Sequence, residues 1–160
     1  MSEKLVVKVE AGIAQVVFNR PEVYNAMDAD VIEAMSRDFT ALAMDSSVRV
    51  VVISGTGKAF SSGADLKGIA MMQGGVAYAI YRLAGLLHLA VTEVRHMPKP
   101  VIAAVNGIAA GAGFSTALAA DFRVMAETAS LRQVYTSWGL CIDGGGTFTL
   151  PRLVGMARAL

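Results

Sequence analysis

The chain has 160 residues, 54% of them apolar and 17% charged, which is enough hydrophobic material for a substantial core and unlike the composition of a disordered chain. Its 14 basic and 13 acidic residues leave a formal charge of +1, and no basic stripe stands out that could displace the counterions of a nucleic acid, so any anionic ligand must be met locally. Cys141 is the single cysteine; it excludes an intramolecular disulfide, fits a reducing compartment, and by residue type reads as a small buried hydrophobe.

The start, Met1-Ser2-Glu3-Lys4, has neither the apolar core of a signal peptide nor an Arg-rich presequence. A cytoplasmic protein without membrane or nucleic-acid partners is expected. From Leu5 to Phe18 apolar and polar residues alternate around Glu10-Ala11-Gly12, predicting a hairpin with one buried face. Asn25 or Asp28 can cap a helix running through Met44, in which Val31, Met35, Phe39 and Leu42 share one face. Val48 to Ser54 reads as a fully buried strand ended by Gly55-Thr56-Gly57. Gly74-Gly75 precede a helix to about Arg95, which Met97-Pro98-Lys99-Pro100 stops.

A short strand, Val101 to Val105, comes next, and after Asn106-Gly107 the small residues from Ile108 to Ala120 predict a glycine turn opening a tightly buried helix. Phe122 to Ala126 is a further strand. Gly155 to Leu160 reads as the opening of a helix without a cap, as if residues 1–160 were the N-terminal portion of a longer chain. No linker or composition shift divides the sequence, so one α/β domain of repeated strand, strand, helix steps is expected.

Two glycine-rich places could hold chemistry. In Lys58-Ala59-Phe60-Ser61-Ser62-Gly63-Ala64-Asp65-Leu66-Lys67 an irregular turn after a strand can leave backbone N–H groups unpaired and facing a cleft. Gly111-Ala112-Gly113 lies at the expected N-terminus of the small-residue helix, where unpaired N–H groups and the helix dipole favour negative charge. Two donors converging on one oxygen make an oxyanion hole; by spacing alone each place also reads as an ordinary tight turn. Gly55-Thr56-Gly57-Lys58-Ala59 lacks the Ser or Thr and the upstream glycine of a P-loop, Gly111-Ala112-Gly113-Phe114-Ser115-Thr116 lacks the third glycine of a dinucleotide fingerprint, and no His, Cys or Asp cluster has metal spacing.

The two places belong to a series. Asn19-Arg20-Pro21-Glu22 with Asn25-Ala26-Met27, the segment from Lys58 to Leu66, Lys99 through Gly107, Gly111-Ala112-Gly113, and Asp143-Gly144-Gly145-Gly146-Thr147 with Leu150 through Gly155 resemble, in order and over nearly the whole chain, the signature blocks of the crotonase (enoyl-CoA hydratase/isomerase) superfamily. The resemblance implies a crotonase spiral of ββα units, with a C-terminal helical part expected beyond these residues, and assembly as homotrimers or dimers of trimers. It implies an acyl-CoA thioester as substrate, coenzyme A being part of that substrate and no separate cofactor or metal being needed. The backbone N–H groups of Ala64 and Ala112 take the role of oxyanion donors. Coenzyme A is expected along Lys58, Ala59, Phe60, Ala64, Asp65 and Leu66, with Lys58 meeting a phosphate and Asp65 fixing the loop through backbone bonds.

Typical hydratases of the superfamily carry two glutamates, whose positions align here with Ser115 and Tyr135. Neither is a carboxylate. Ser115 reads as a helix-packing residue, since no histidine lies near it in sequence, and His88 and His96 belong to a helix that ends elsewhere. Asp143 is the remaining acid: an Asp-Gly turn residue on one reading, and on the other the catalytic carboxylate used at this position by dienoyl-CoA isomerases, ring-epoxyphenylacetyl-CoA isomerases and aroyl-CoA dehalogenases. The segments Cys141 to Thr147 and Ala109 to Gly113 look closest to the ring-epoxyphenylacetyl-CoA isomerase type. Tyr135, Trp138 and Ser115 are expected at the acyl pocket, with core packing the other reading for the two aromatics. An isomerase with Asp143 as shuttle base is therefore expected, and an enoyl-CoA hydratase, a dehalogenase and a non-catalytic CoA-binding homologue stay open.

Overall fold

In the computed structural model, which describes residues 4–160, the alternating N-terminal segment folds as its pattern demands. β1 (Leu5–Glu10) pairs antiparallel with β2 (Ile13–Phe18); Ala14, Val16 and Phe18 enter the core while Ile13 and Gln15 face out. α1 (Ala29–Met44) begins at Asp28, whose carboxylate accepts the Val31 N–H at 3.0 Å. Its buried residues are Val31, Met35, Phe39 and Leu42, as their spacing requires, together with Ile32.

Three strand pairs then repeat one pattern: β3 (Val50–Gly55) with β4 (Ala59–Ser61), β5 (Val101–Val105) with β6 (Ile108–Ala110), and β7 (Phe122–Met125) with β8 (Ser130–Arg132). The first strand of each pair joins a five-stranded sheet of order β1-β2-β3-β5-β7, and the second joins a three-stranded sheet of order β4-β6-β8. Apart from the opening hairpin, all neighbours are parallel. Helices α2 (Leu66–Ala70) and α3 (Gly75–His96) follow β4, and α4 (Ala112–Ala119) follows β6. A 3-10 turn (Tyr135–Trp138), α5 (Gly146–Val154) and α6 (Met156–Ala159) follow β8. The result is the spiral of ββα turns that the sequence resemblance implies.

Several local expectations are revised. β3 starts at Val50 and is buried on one face only, Val51 and Ile53 inward and Val50 and Val52 partly exposed. The small-residue stretch divides into β6 and α4 because Gly111, at φ 52° and ψ −123°, breaks the backbone between them. α2 was not signalled by periodicity, being only 5 residues long; Asp65 caps it by accepting the Gly68 N–H at 3.0 Å. Cys141 is exposed rather than buried, since it lies in the loop that links the 3-10 turn to α5. α3 is long and apolar enough to cross a membrane by length and composition, yet Ala79, Leu83, Leu87, Ala90, Val91 and Val94 form a buried face packed along α1 and α4, the arrangement of a core helix.

Two residues of small size or special backbone hold the turns together. Every residue of α4 is buried, and a Cβ on Gly113 would lie 2.5 Å from the Ser61 carbonyl oxygen, so only glycine lets α4 approach β4 this closely. Asn25 is 1% exposed and sits at φ 57°, in the left-handed region that Asn tolerates better than most residues. Its Oδ1 accepts the Arg20 N–H at 2.8 Å, and its Nδ2 donates to the carbonyls of Thr56 and Ala59 at 2.9 and 2.8 Å. Instead of capping α1, it ties the chain before that helix to the segment between β3 and β4. Asn25→Ala strands those buried groups and strains the backbone; a loss of about 3 kcal/mol in unfolding free energy is expected from urea denaturation.

Candidate active site

The turn after β4 is fixed from below by Met27. Its N–H donates to the Gly63 carbonyl at 2.8 Å and its carbonyl accepts the Asp65 N–H at 2.9 Å, an isolated parallel bridge that brackets Ala64. In extended backbone successive amides alternate in direction, so the Ala64 N–H is turned away from Met27 and uses no backbone acceptor among the described residues. Arg20 locks the turn from outside: it donates to the Ala26 carbonyl at 2.7 Å and to Asp65 at 3.1 Å, and lies 3.3 Å from Asp28. Lys4 extends this cluster to Asp28 and Asp30. Asp65 thus fixes the turn through its carboxylate, which pairs with Arg20 and accepts the Gly68 N–H, as well as through its own backbone N–H.

The second turn abuts the first. Gly111 donates its N–H to the Arg132 carbonyl at 3.1 Å, and its own carbonyl accepts the Ser115 N–H at 3.0 Å. Ala112 is the first residue of α4, where an amide has no intrahelical acceptor. A Cβ on Gly63 would stand 2.7 Å from the Ala110 carbonyl oxygen and 3.1 Å from the Ala112 nitrogen, which measures how tightly the two turns meet.

Both turns open on one apolar cavity of about 120 Å³. Ala64, Leu66, Ala112, Tyr135, Trp138 and Asp143 all line it, so the fold brings together residues from three separated signature segments and the 3-10 turn. Trp138 is 67% exposed, which makes it a wall at the mouth and rules out the core-packing reading for it; Tyr135 is buried. Ser115 stands behind the wall, not on it as expected: it is fully buried in α4, and its hydroxyl reaches Tyr135 Oη at 3.2 Å and the Asp143 carbonyl at 2.9 Å.

The Lys58-Ala59-Phe60 segment lies elsewhere. Ala59 and Phe60 are core residues, Phe60 stacked edge-on against Phe18 with centroids 5.5 Å apart, so their side chains offer nothing to a ligand and any contact there would be through backbone. Lys58 is exposed. None of the three lines the cavity.

Asp143 is the one carboxylate on the cavity wall among the described residues. The chain does turn at this point, the Gly146 N–H donating to the Asp143 carbonyl at 3.0 Å, but the side chain is aimed at Tyr135, whose hydroxyl donates to Oδ1 at 2.5 Å. Burial pushes the Asp143 carboxyl above its ordinary range, while the Tyr135 hydrogen bond and the field of His88 draw it partly back. Burial, with the neighbouring Asp143 charge, pushes the Tyr135 phenol up, keeping it a neutral donor.

His88, set aside in the sequence as part of a helix that ends elsewhere, faces the Gly144-Gly145 turn from α3. Sequence reasoning overlooked Leu83 and Leu87, which close the floor of the cavity and whose spacing of four on α3 was the available signal. Val134 gave no signal at all: a β-branched residue at φ 47°, it is held in a conformation costing on the order of 1–3 kcal/mol at the cavity edge beside Tyr135.

A raised carboxyl pKa has a sign in stability. The folded state holds the Asp143 proton more tightly than the unfolded chain, so the acid costs nothing below its unfolded pKa of about 3.9, and its cost grows as pH rises through the folded value. Asp143→Asn is therefore expected to be more stable than the parent at pH 7, with the advantage shrinking toward pH 4 in parallel denaturation series.

The comparisons agree with this architecture. Residues 8–160 match the family model described as Enoyl-CoA hydratase/isomerase. The carnitinyl-CoA dehydratase of Salmonella enteritidis is 42% identical over 155 residues, covering 96% of this chain and 58% of its own length. The 1,2-epoxyphenylacetyl-CoA isomerase of Escherichia coli K12 is 34% identical over 164 residues, covering 100% of this chain and 62% of its own. A crystal structure of enoyl-CoA hydratase from Bacillus anthracis superposes with a TM-score of 0.91 at 34% identity, covering 98% of this chain and 60% of that one. The chain thus spans about three-fifths of the length of the relatives it matches. With the ββα spiral, the paired glycine turns and a family match over residues 8–160 all in agreement, the chain belongs to the enoyl-CoA hydratase/isomerase family, the crotonase superfamily.

Proposed function

We propose that this protein isomerises an acyl-CoA thioester, an enoyl-CoA or a ring-epoxide CoA, with Asp143 as the shuttle base and the N–H groups of Ala64 and Ala112 as oxyanion donors. The observation that carries this reading is the composition of the cavity: a single desolvated carboxylate, on the same apolar wall as two residues whose amides have no backbone acceptor. The thioester oxygen would accept from both amides, so that charge developing on it is met by dipoles already in place. Asp143 takes a proton from one carbon, the enolate is held, and the same carboxyl returns the proton to another carbon. Its raised pKa brings it closer to the working pH, where a base that must also act as an acid is most effective.

Hydration needs more than this. A water must be positioned and a second group must supply a proton, and the positions of the two family glutamates are occupied by Ser115 and Tyr135. A hydratase is nevertheless the second reading, because the relatives named above include a hydratase and a dehydratase. Crotonyl-CoA hydration, followed by loss of the conjugated absorbance, distinguishes it from 3-enoyl-CoA isomerisation, in which that absorbance appears. Lys58, exposed near the turn that would face the coenzyme, is the expected point charge for a CoA phosphate.

The test is turnover of 3-enoyl-CoA and ring-epoxide CoA substrates. Asp143→Asn should lower kcat by a factor of about 10²–10⁴, the range for a lost general base, with acyl-CoA binding retained by calorimetry. Unchanged turnover in that variant removes Asp143 as base. Gly63→Ala, which forces the two turns apart, should lower kcat by about 10²–10³, as losing one oxyanion donor does, without a matching loss of binding.

A further inference from the structure

Asp143 does not stand alone at the cavity. Three oxygen atoms from three elements close a ring behind it: Tyr135 Oη from the 3-10 turn, Ser115 Oγ from α4, and the Asp143 main-chain carbonyl. Tyr135 Oη is 2.5 Å from Asp143 Oδ1, Ser115 Oγ is 3.2 Å from Tyr135 Oη, and Ser115 Oγ is 2.9 Å from the Asp143 carbonyl. Ser115 is fully buried and Tyr135 is buried, and no buried side-chain oxygen or nitrogen among the described residues lacks a partner. Both hydroxyls are shielded from water, and the half-buried Asp143 carries the circuit to the cavity wall.

We infer that Tyr135 and Ser115 form a reversible hydroxyl relay that satisfies Asp143 in both its ionised and its protonated state, and so are positioning residues for a base that must take up and give back the same proton. The inference rests on the reading of Asp143 as shuttle base.

A hydroxyl has one hydrogen to give and two lone pairs to receive with, whereas a carboxylate only accepts and a carboxylic acid must also donate. With Asp143 ionised, the Tyr135 O–H points at Oδ1, and 2.5 Å is within the range of a charge-assisted O–H···O⁻ bond. Ser115 donates to the Asp143 carbonyl. When the carboxylate has taken a proton from substrate carbon, its new O–H needs an acceptor. Tyr135 Oη becomes that acceptor by rotating its own hydrogen toward Ser115 Oγ, which stands within reach and goes on donating to the Asp143 carbonyl. No proton leaves the circuit and no heavy atom moves. The proton abstracted from carbon is on Asp143 in one state and back on carbon in the other; the Tyr135 hydrogen changes direction, and the new acid O–H turns between the substrate carbon and Tyr135 Oη. Without Ser115 the rotated hydrogen would point at nothing, and a buried unsatisfied donor would penalise the protonated acid.

The charged surroundings of Asp143 are few. From α3, His88 acts on it through its field, from the 3-10 turn comes Tyr135, and α4 offers only the uncharged Ser115. His88 is unchanged in the variants below, so it cancels from the comparison.

The relay makes two predictions of opposite sign, which a merely structural role for these residues does not. Tyr135→Phe removes the donor to the ionised form and the acceptor for the protonated form; the charge-assisted bond is the stronger of the two, so the Asp143 pKa should rise, by about one unit. Ser115→Ala removes the acceptor that the protonated form needs, so the Asp143 pKa should fall. The double variant should titrate close to Tyr135→Phe, because Ser115 acts only through Tyr135. The measurement is a ¹³C NMR titration of protein labelled at the aspartate carboxyl carbon, with Asp143→Asn identifying the resonance; it reads Asp143 directly in folded protein and needs no substrate. Shifts of the same sign in the two single variants, or an Asp143 titration unmoved by Tyr135→Phe, overturn the relay. A separate assay, 3-enoyl-CoA isomerisation by Asp143→Asn, decides the underlying reading: retained turnover there sinks the shuttle base whatever the titrations show. With both sound, the acid limb of kcat/KM in Tyr135→Phe should move up by the same amount as the titration.

Discussion

The chemistry available to this fold depends on two glycine turns, at 63–65 and 111–113, approaching to van der Waals contact. Neither turn could do this with a side chain at its apex, since a Cβ on Gly63 would lie 2.7 Å from the Ala110 carbonyl oxygen and one on Gly113 would lie 2.5 Å from that of Ser61. The ββα repeat makes the meeting possible. Each turn follows a strand of the same three-stranded sheet, β4 and β6 being parallel neighbours, so their C-terminal ends emerge side by side. The short strands, of 3 residues each, release the chain before the ladder can consume the amides of Ala64 and Ala112. A backbone site of this kind is indifferent to the side chains at the two alanines and sensitive to anything that shifts the turns.

Polar groups are distributed accordingly. Outside the cavity a cluster of Lys4, Arg20, Asp28, Asp30 and Asp65 holds the first turn, with Asn25 tying the neighbouring segments. Exposed members of such a cluster contribute little to stability. Its consequence is geometric: Arg20 and Asp65, each largely shielded from water, leave the turn one position in which both are paired, and removing either partner would strand a part-buried charge. Inside the cavity the opposite choice is made. Asp143 is partly desolvated, hydrogen-bonded by the Tyr135 hydroxyl and within the field of His88, and Val134 is held at φ 47° on the same cavity wall. Both features cost stability, and both lie where the chain must present an acid to an apolar space.

The sequence made the frame legible wherever period and punctuation agree. The β1–β2 hairpin, the face of α1, the extent of α3 and the strand from Val101 to Val105 follow from alternation, three-and-four spacing and the prolines at 98 and 100. Period alone failed for short elements in dense surroundings. α2 spans barely more than one turn, and β6 with α4 is a continuous run of small residues in which only the backbone angles of Gly111 mark the break. The site was legible mainly through the order of the signature blocks, and burial was the property least visible in them. Phe60 and Ala59 sit in a glycine-rich segment that suggests a ligand loop, yet β4 carries them into the core. Cys141, apolar by type, lies on an exposed loop. The partnership of Ser115, Tyr135 and Asp143 could not be read at all, because residues 20 and 8 positions apart meet only once α4, the 3-10 turn and the following loop are packed.

That partnership also bears on why a cavity of this family would do with one carboxylate. A second ionised acid about 4 Å away would repel the first by about 4 kcal/mol at an effective dielectric of 20, and would oppose an enolate just as it opposes a neighbouring carboxylate. Hydroxyls at the two positions avoid that repulsion while still orienting the remaining acid. The Tyr135 phenol, pushed up by burial and by Asp143, stays neutral, so on the proposed mechanism the pocket would carry one negative charge at a time: on Asp143 before proton transfer and on the substrate oxygen after it. The amides of Ala64 and Ala112 would then face a charge that has moved across the cavity, not one added to another. A site arranged in this way suits a proton that returns to the same molecule, because nothing in it is prepared to supply a second.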